Sequence, residues 1–214
     1  MFKKLKLDID AAMQNDPAAR SRLEVYLTYS GIKALKSHRK ANFFYRHNLK
    51  LLARIISQRA KRRTGIEIHP AAQIAPGVFI DHGAGVVIGE TAVIETGVVI
   101  YQGVTLGGTG KDKGAKRHPT IKRDCIISAG AKILGGITVH ENCKIGASSV
   151  VLEDVPANST VVGIPGKVVK TNGQKVHDLL QDKSDPVNDE IMANKQLIAS
   201  LLARIEKLEK EIKQ

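Results

Sequence analysis

The chain has 214 residues, 43% hydrophobic and 25% charged, with a net charge of +12. Those values suit a globular protein of one good-sized domain or two small ones, and two cysteines exclude a secreted disulfide framework. No stretch approaches the ~18 uninterrupted apolar residues of a membrane span, and the start MFKKLKLDID lacks a secretory apolar core, so the expected location is the cytoplasm.

Residues 1–64 hold one glycine, Gly31, and one proline, Pro17, and are expected to form an N-terminal helical domain. Asp16-Pro17 reads as a helix start: Asp caps free N–H groups and Pro suits the first helical position. Leu23, Tyr26, Leu27 and Ser30 follow at helical spacing, and Gly31 interrupts the run. A second helix carries Leu49, Leu52, Ile55 and Ile56 towards Lys61-Arg62-Arg63, cations that suit a helix C-terminus. From Val25 to Ile66 no acidic residue occurs. Such a block attracts polyanions, but no nucleic-acid-reading motif accompanies it, and neither nucleic acid nor a membrane is the expected partner.

Residues 65–170 contain 17 of the 19 glycines and two aromatics, Phe79 and Tyr101. Aliphatic residues recur every six positions: Ile68, Ile74, Ile80, then after a shift of two Ile88, Ile94, Ile100 and Leu106, and after a break Ile121, Ile127, Ile133, Val139, Ile145 and Val151. Four residues after most of them stands a small or apolar residue, among them Ala72, Val78, Ala84, Ala92, Val98, Cys125, Ala131, Cys143 and Ser149. A helix repeats at 3.6 and a strand face at 2, so a period of six predicts a triangular solenoid with short strands on its flats and permissive residues at its corners. Cys125 and Cys143 fall one coil apart on the inward position; a disulfide is geometrically open to them, and two packed thiols are expected. The segment Gly107–Pro119 breaks the hexads as a Gly- and Lys-rich excursion, the kind of loop on which sites form.

Residues 171–214 are expected to be a polar linker and a coiled-coil-like helix. Ile191, Ile198, Ile205 and Ile212 take one heptad position, Asn194, Leu201 and Leu208 the other. A lone amphipathic helix is the alternative.

The hexads with this excursion resemble the hexapeptide-repeat acyltransferases, which are left-handed parallel β-helices. Within them the chain is similar to the serine acetyltransferases. The similarity is carried by EIHP (Glu67–Pro70), IDHGAGVVIGETAVI (Ile80–Ile94), QGVTLGGTGK (Gln102–Lys111), KRHPTI (Lys116–Ile121), GAKILGGI (Gly130–Ile137), KIGASSVVLEDVP (Lys144–Pro156) and VVGIPGKVV (Val161–Val169). The fold class it implies is α+β: helical head, left-handed parallel β-helix over 65–170, and C-terminal helix.

The resemblance implies acetyl transfer from acetyl-CoA to the hydroxyl of L-serine, directly and without a metal. A serine hydroxyl needs a base with pKa near the working pH; by resemblance His82 is that base. Glu67 stands where the family has the Asp that orients the base, one methylene longer. Asp81, next to the base, is a second candidate for that duty and is grouped with the substrate-binding residues. Arg117 and His118 are implied to hold the substrate carboxylate, for which Arg's planar fork is suited, and Asp16 its amino group. Gly107, Gly108, Ala129 and Gly130 allow the cofactor arm to approach, with Lys144 near its phosphates; Lys111, Lys113 and Lys116 also attract phosphate. The family further implies a homotrimer or a dimer of trimers with sites between subunits, and feedback inhibition by L-cysteine. The usual complex with O-acetylserine sulfhydrylase uses a terminal Ile, whereas this chain ends Glu211-Ile212-Lys213-Gln214. Three alternatives stay open: the same chemistry on homoserine or a sugar, a zinc hydratase using His69, His82 and His118, and a non-enzymatic nucleic-acid binder.

Overall fold

The computed structural model describes residues 2–110, 114–176, 194–198, 200–202 and 204–205. Four helices lead: α1 (Phe2–Asn15), α2 (Arg22–Thr28), α3 (Ser30–Arg46) and α4 (Lys50–Thr64). Gly65 ends α4 in the left-handed conformation, its N–H on the Lys61 carbonyl. The solenoid then starts at β1 (Glu67–Ile68) and continues with β2 (Gln73–Ile74), β3 (Phe79–Ile80), β4 (Val87–Ile88), β5 (Val93–Ile94), β6 (Val99–Ile100) and β7 (Thr105–Gly107). After the excursion follow β8 (Thr120–Ile121), β9 (Ile126–Ile127), β10 (Lys132–Leu134), β11 (Thr138–Val139), β12 (Lys144–Ile145) and β13 (Val150–Val151). A closing ribbon consists of β14 (Ser159–Val162), β15 (Lys167–Thr171) and β16 (Gln174–Lys175).

Each strand from β1 to β10 pairs in parallel with the strand three further on, and β12 pairs with β14, which makes three faces: β1-β4-β7-β10-β13, β2-β5-β8-β11, and β3-β6-β9-β12-β14. The chain is a left-handed parallel β-helix. β14 turns back antiparallel onto β15 and caps the last face. The corners after β1, β2 and β3, and their repeats, are here the first, second and third corners.

Every aliphatic residue of the hexad series lies on a strand, and all but Ile74 are buried. The residue two before each one completes the inner wall: Ala72, Val78, Val86, Ala92, Val98, Val104, Cys125, Ala131, Cys143 and Ser149 are fully buried. One expected inward residue is corrected. Ala84 is exposed and Val86 takes its place, because eight residues rather than six join Ile80 to Ile88 and the extra pair is extruded at the corner. The two cysteines are free and buried, each with its thiol on a backbone carbonyl, Cys125 on His140 (2.9 Å) and Cys143 on Pro156 (3.0 Å).

The helical head differs from expectation in three ways, each with a physical reason. Asp16 does not cap α2. Ser21 does, accepting the Glu24 N–H at 3.2 Å, and Asp16 lies in the turn after α1, its N–H on the Ala12 carbonyl at 3.0 Å. α2 is short and buries Val25, leaving Leu23 and Leu27 exposed. α4 presents small Ala53 and Ser57 to the solenoid, with Ser57 Oγ donating to the Ile68 carbonyl at 2.6 Å, so Leu49, Leu52 and Ile55 face outward. Gly31 sits in the first turn of α3, where a Cβ would lie 2.1 Å from the Ile80 carbonyl oxygen. Close approach, rather than chain breaking, is its use.

Buried Asp8 of α1 ties the head together. It pairs with Arg39 of α3 and accepts the Gly77 N–H at 3.0 Å from the second corner.

Residues 175–214 form a separate unit. Residues 194–198, 200–202 and 204–205 are helical, and Ile198, Leu201 and Ile205 of the expected seam are exposed. Ile191, Leu208 and Ile212 lie outside the described residues, as do Lys111 and Lys113.

Candidate active site at two corners of the solenoid

The extruded pair makes the third corner bulge at Asp81–Gly85. His82 stands there in the left-handed region (φ 55) with its side chain 74% exposed. Holding a non-glycine residue so costs about 1–2 kcal/mol, a strain that clusters at functional positions. Gly83 follows from packing: a Cβ there would press within 2.4 Å of Ile66 Cδ1. The Asp81 carboxylate lies 4.0 Å from His82 Nε2.

Asp16 of the head shares this environment. Its carboxylate accepts the Tyr29 phenol and the Ala18 N–H (2.8 Å). Those bonds, Tyr29's first, hold it below the usual carboxylate range, and the field of His82 pulls the same way. The bond to Asp16 pushes the Tyr29 phenol up to about 12, so it remains a donor.

Glu67 opens β1 beside the same corner, its N–H on the Val86 carbonyl at 2.8 Å. Its side chain is engaged from α4 by Lys61 (2.6 Å) and Arg54 (3.9 Å). The Lys61 bond above all keeps the acid below its ordinary range.

Arg117 and His118 lie at the first corner, where the excursion returns. Arg117 pairs with Glu90 at 2.9 Å. His118 is buried, with Nδ1 accepting the Thr91 N–H (3.2 Å) and 2.9 Å from Thr91 Oγ1. Burial lowers its pKa first, and the Arg117 charge helps. The ring is therefore neutral at pH 7 with its proton on Nε2, a donor. Gly89 exists for this ring, since a Cβ there would fall 1.8 Å from His118 Cδ2. Thr91 Oγ1 also accepts the backbone N–H groups of Arg117 (3.1 Å) and His118 (3.0 Å).

The expected cofactor residues divide between the same corners. Gly107 and Gly108 are at the first. Ala129 and Gly130 are at the third, two coils from His82, or about 10 Å at sheet spacing. Gly130 has φ 72 and its N–H on the Gln102 carbonyl (2.8 Å). Lys144 begins β12 on the third face and is exposed.

One chain thus brings Asp16, Asp81 and His82 to one corner and Arg117 and His118 to another, with the first face between them; Glu67 lies on that face at the start of β1, held by Lys61 and Arg54. A cavity of about 1170 Å³ lies between α3 and the second face, and His82 does not line it. Among the described residues no cluster of three or more His, Cys, Asp or Glu could hold a metal, and no helix is long and apolar enough to cross a membrane. Sequence reasoning did not single out Tyr29, Gly89, Glu90 or Thr91. The triplet Gly89-Glu90-Thr91, a glycine and two polar residues straight after a strand, was the available signal.

A three-sided coil with a strained histidine at one corner and a basic excursion at another defines a hexapeptide-repeat transferase. Residues 118–153 match the family described as bacterial transferase hexapeptide (six repeats). The serine acetyltransferase of Bacillus pumilus is 60% identical over 190 residues, 88% of this chain and 87% of that one; that of Bacillus subtilis is 57% identical over 215 residues, 100% and 99%. Among solved structures, Neisseria gonorrhoeae serine acetyltransferase in complex with serine aligns at TM-score 0.76 and 40% identity, over 79% of this chain and 69% of that one. The Brucella abortus enzyme in complex with coenzyme A aligns at 0.78 and 43%, over 81% and 69%. A serine acetyltransferase complex with cysteine aligns at 0.77 and 43%, over 78% and 69%. The chain belongs to the serine acetyltransferase family.

Proposed function

We propose that the third corner of one subunit and the first corner of its neighbour form the catalytic centre of an acetyl-CoA-dependent serine O-acetyltransferase. The observation that carries this reading is the division of the site residues: the candidate base and the candidate carboxylate clamp occupy different corners of one triangle. A ring of subunits whose first faces turn inward puts one chain's His82 opposite the next chain's Arg117 and His118. The outward residues of that face suit a partner: Val87 is an exposed aliphatic, and Thr105 and Val150 are partly covered.

In this arrangement L-serine binds by its amino group to Asp16 and Asp81 and by its carboxylate to Arg117 and the Nε2–H of His118. His82 takes the hydroxyl proton as the oxygen attacks the thioester carbonyl. Asp81, 4.0 Å from its Nε2, stabilises the imidazolium that forms, with Glu67 at the start of the neighbouring face as the second carboxylate. The protonated His82 then returns its proton to the departing CoA thiolate. The pantetheine arm, an extended amide chain, runs along the third corner past Ala129 and Gly130, where backbone groups are accessible, with Gly107 and Gly108 of the neighbour opposite and Lys144 towards the phosphates. The head 1–64 supplies Asp16, the solenoid 65–170 the rest.

The relatives' complexes with serine, CoA and cysteine support the substrates and L-cysteine as a feedback inhibitor that competes with serine. The assembly on this reading is a homotrimer, alone or paired into a hexamer, in the cytoplasm, where two free thiols persist.

The test is CoA release with L-serine, homoserine and sugar acceptors, on the native chain and on His82→Ala. Turnover with L-serine should fall at least ~100-fold in the variant, the scale of losing a general base. Equal turnover in the two proteins would refute the assignment.

A further inference from the structure

We infer that Tyr29 is a positioning residue for the substrate ammonium group, acting through Asp16. This rests on the reading of Asp16 as the amino-group ligand and adds a residue to that subsite.

Three observations carry it. First, Asp16 sits in a turn rather than at a helix cap, and that turn grips only one of its two carboxylate oxygens. The Tyr29 phenol donates to one carboxylate oxygen, Oδ2, and the Ala18 N–H to the other, Oδ1, at 2.8 Å. Two donors on two oxygens set the plane of the carboxylate, and each oxygen keeps a lone pair for an ammonium donor. Second, Tyr29 is the extended hinge between α2 and α3 (φ −70, ψ 119) and caps neither with its side chain, so its hydroxyl is free for this use. Its ring is wedged among the partly buried residues under the head while the hydroxyl reaches the surface turn. Third, two residues on, Gly31 seats α3 directly against the Ile80 carbonyl. Ile80 is the residue before Asp81-His82. The reach from the base's corner to Asp16 therefore runs through one rigid contact, one turn of helix and one phenol. A long flexible donor such as Lys would neutralise Asp16, whereas a neutral phenol orients it and leaves its charge for the substrate.

The test is Tyr29→Phe beside Asp16→Asn, each assayed as a full-length protein with L-serine as substrate and 3-hydroxypropanoate, serine without its amino group, as a competitive inhibitor. For Tyr29→Phe the KM for L-serine should rise about tenfold, the scale of one hydrogen bond to a charged group, with kcat, the KM for acetyl-CoA and the 3-hydroxypropanoate inhibition constant unchanged. A merely structural role would weaken both ligands alike, or leave serine binding untouched; either result overturns the inference. Asp16→Asn separates the underlying reading. If it leaves the KM for L-serine unchanged, Asp16 is not the ammonium ligand. If it raises that KM while Tyr29→Phe does not, Asp16 stands and Tyr29 falls.

Discussion

Gly89→Ala is the sharpest structural test of the first corner. An ideal Cβ at residue 89 lies 1.8 Å from Cδ2, 2.1 Å from Nε2 and 2.7 Å from Cγ of His118. Carbon atoms rest at ~3.5–4.0 Å, so the ring must withdraw by about 1.5–2 Å. That distance is enough to break the Thr91 N–H bond to Nδ1 (3.2 Å) and the Thr91 Oγ1 contact (2.9 Å). The ring is buried and cannot simply swing into solvent. Overpacking costs ~1–3 kcal/mol and the lost hydrogen bonds about 1 kcal/mol, which together lower the melting temperature by roughly 5–15 °C for a chain of this size. If His118 holds the substrate carboxylate as proposed, displacing the ring by this much also moves Nε2 off it, and the KM for L-serine should rise at least ~10-fold, about 1.4 kcal/mol. Thermal melting and steady-state kinetics with each substrate varied read both effects. A folded Gly89→Ala enzyme with native melting and a native KM for serine would show that residue 89 does not seat the ring and that the ring does not seat the substrate.

Two further outcomes follow from the head. The buried ring of His38 has its pKa lowered to about 4, chiefly by burial and then by the Arg39 charge. Its unfolded value is the ordinary ~6.5, so between the two the unfolded chain binds a proton that the folded chain refuses. Stability is full above ~6.5 and drains as pH falls towards 4, by about 3 kcal/mol in all. His38→Gln, which keeps an amide donor for the Ala72 backbone, should flatten the urea midpoint against pH over that window; an unchanged slope counts against it. Gly31→Ala places a Cβ 2.1 Å from the Ile80 carbonyl oxygen and must lift α3, at a cost of ~1–3 kcal/mol. Melting should drop and the KM for L-serine rise; a variant native in both would mean that α3 is not seated through residue 31.

The solenoid was legible because its rule is periodic. Every sixth aliphatic residue must fill the same narrow interior, and each from Ile68 to Val151 does lie on a strand. Counting failed only at Ala84, where the chain departs from its own period. The head was less legible because propensity cannot say which face packs. α4 reads as an amphipathic helix on its leucines, yet its tight seat against β1 selects Ala53 and Ser57. Asp16-Pro17 has the residues of a cap, but the cap geometry went to Ser21, whose hydroxyl accepts the Glu24 N–H. At the site, His82, Arg117 and His118 were visible as motif residues, while Tyr29, Glu90 and Thr91 act through hydrogen bonds across 13 to 27 residues of sequence. No local pattern encodes those.

The break in the period and the chemistry have one cause. A regular third corner would place its residues in the tight turn used at Gly103, Gly130 and Ser148, each with φ between 58 and 72 and its N–H bonded to the coil before. Such a corner offers backbone to a ligand and little else, which suits the path proposed for the pantetheine arm. The two added residues lift His82 out of that ladder without disturbing it, since Asp81 still bonds the Ile100 carbonyl (2.9 Å) and Gly85 the Gly65 carbonyl (3.0 Å). On the proposed reading the base is thereby raised above a continuous backbone track, along which the pantetheine arm would carry the thioester to it. Deleting two residues from Asp81–Gly85 would restore a regular coil and a stable solenoid with no projecting imidazole, so loss of turnover with retained melting is the outcome this geometry requires.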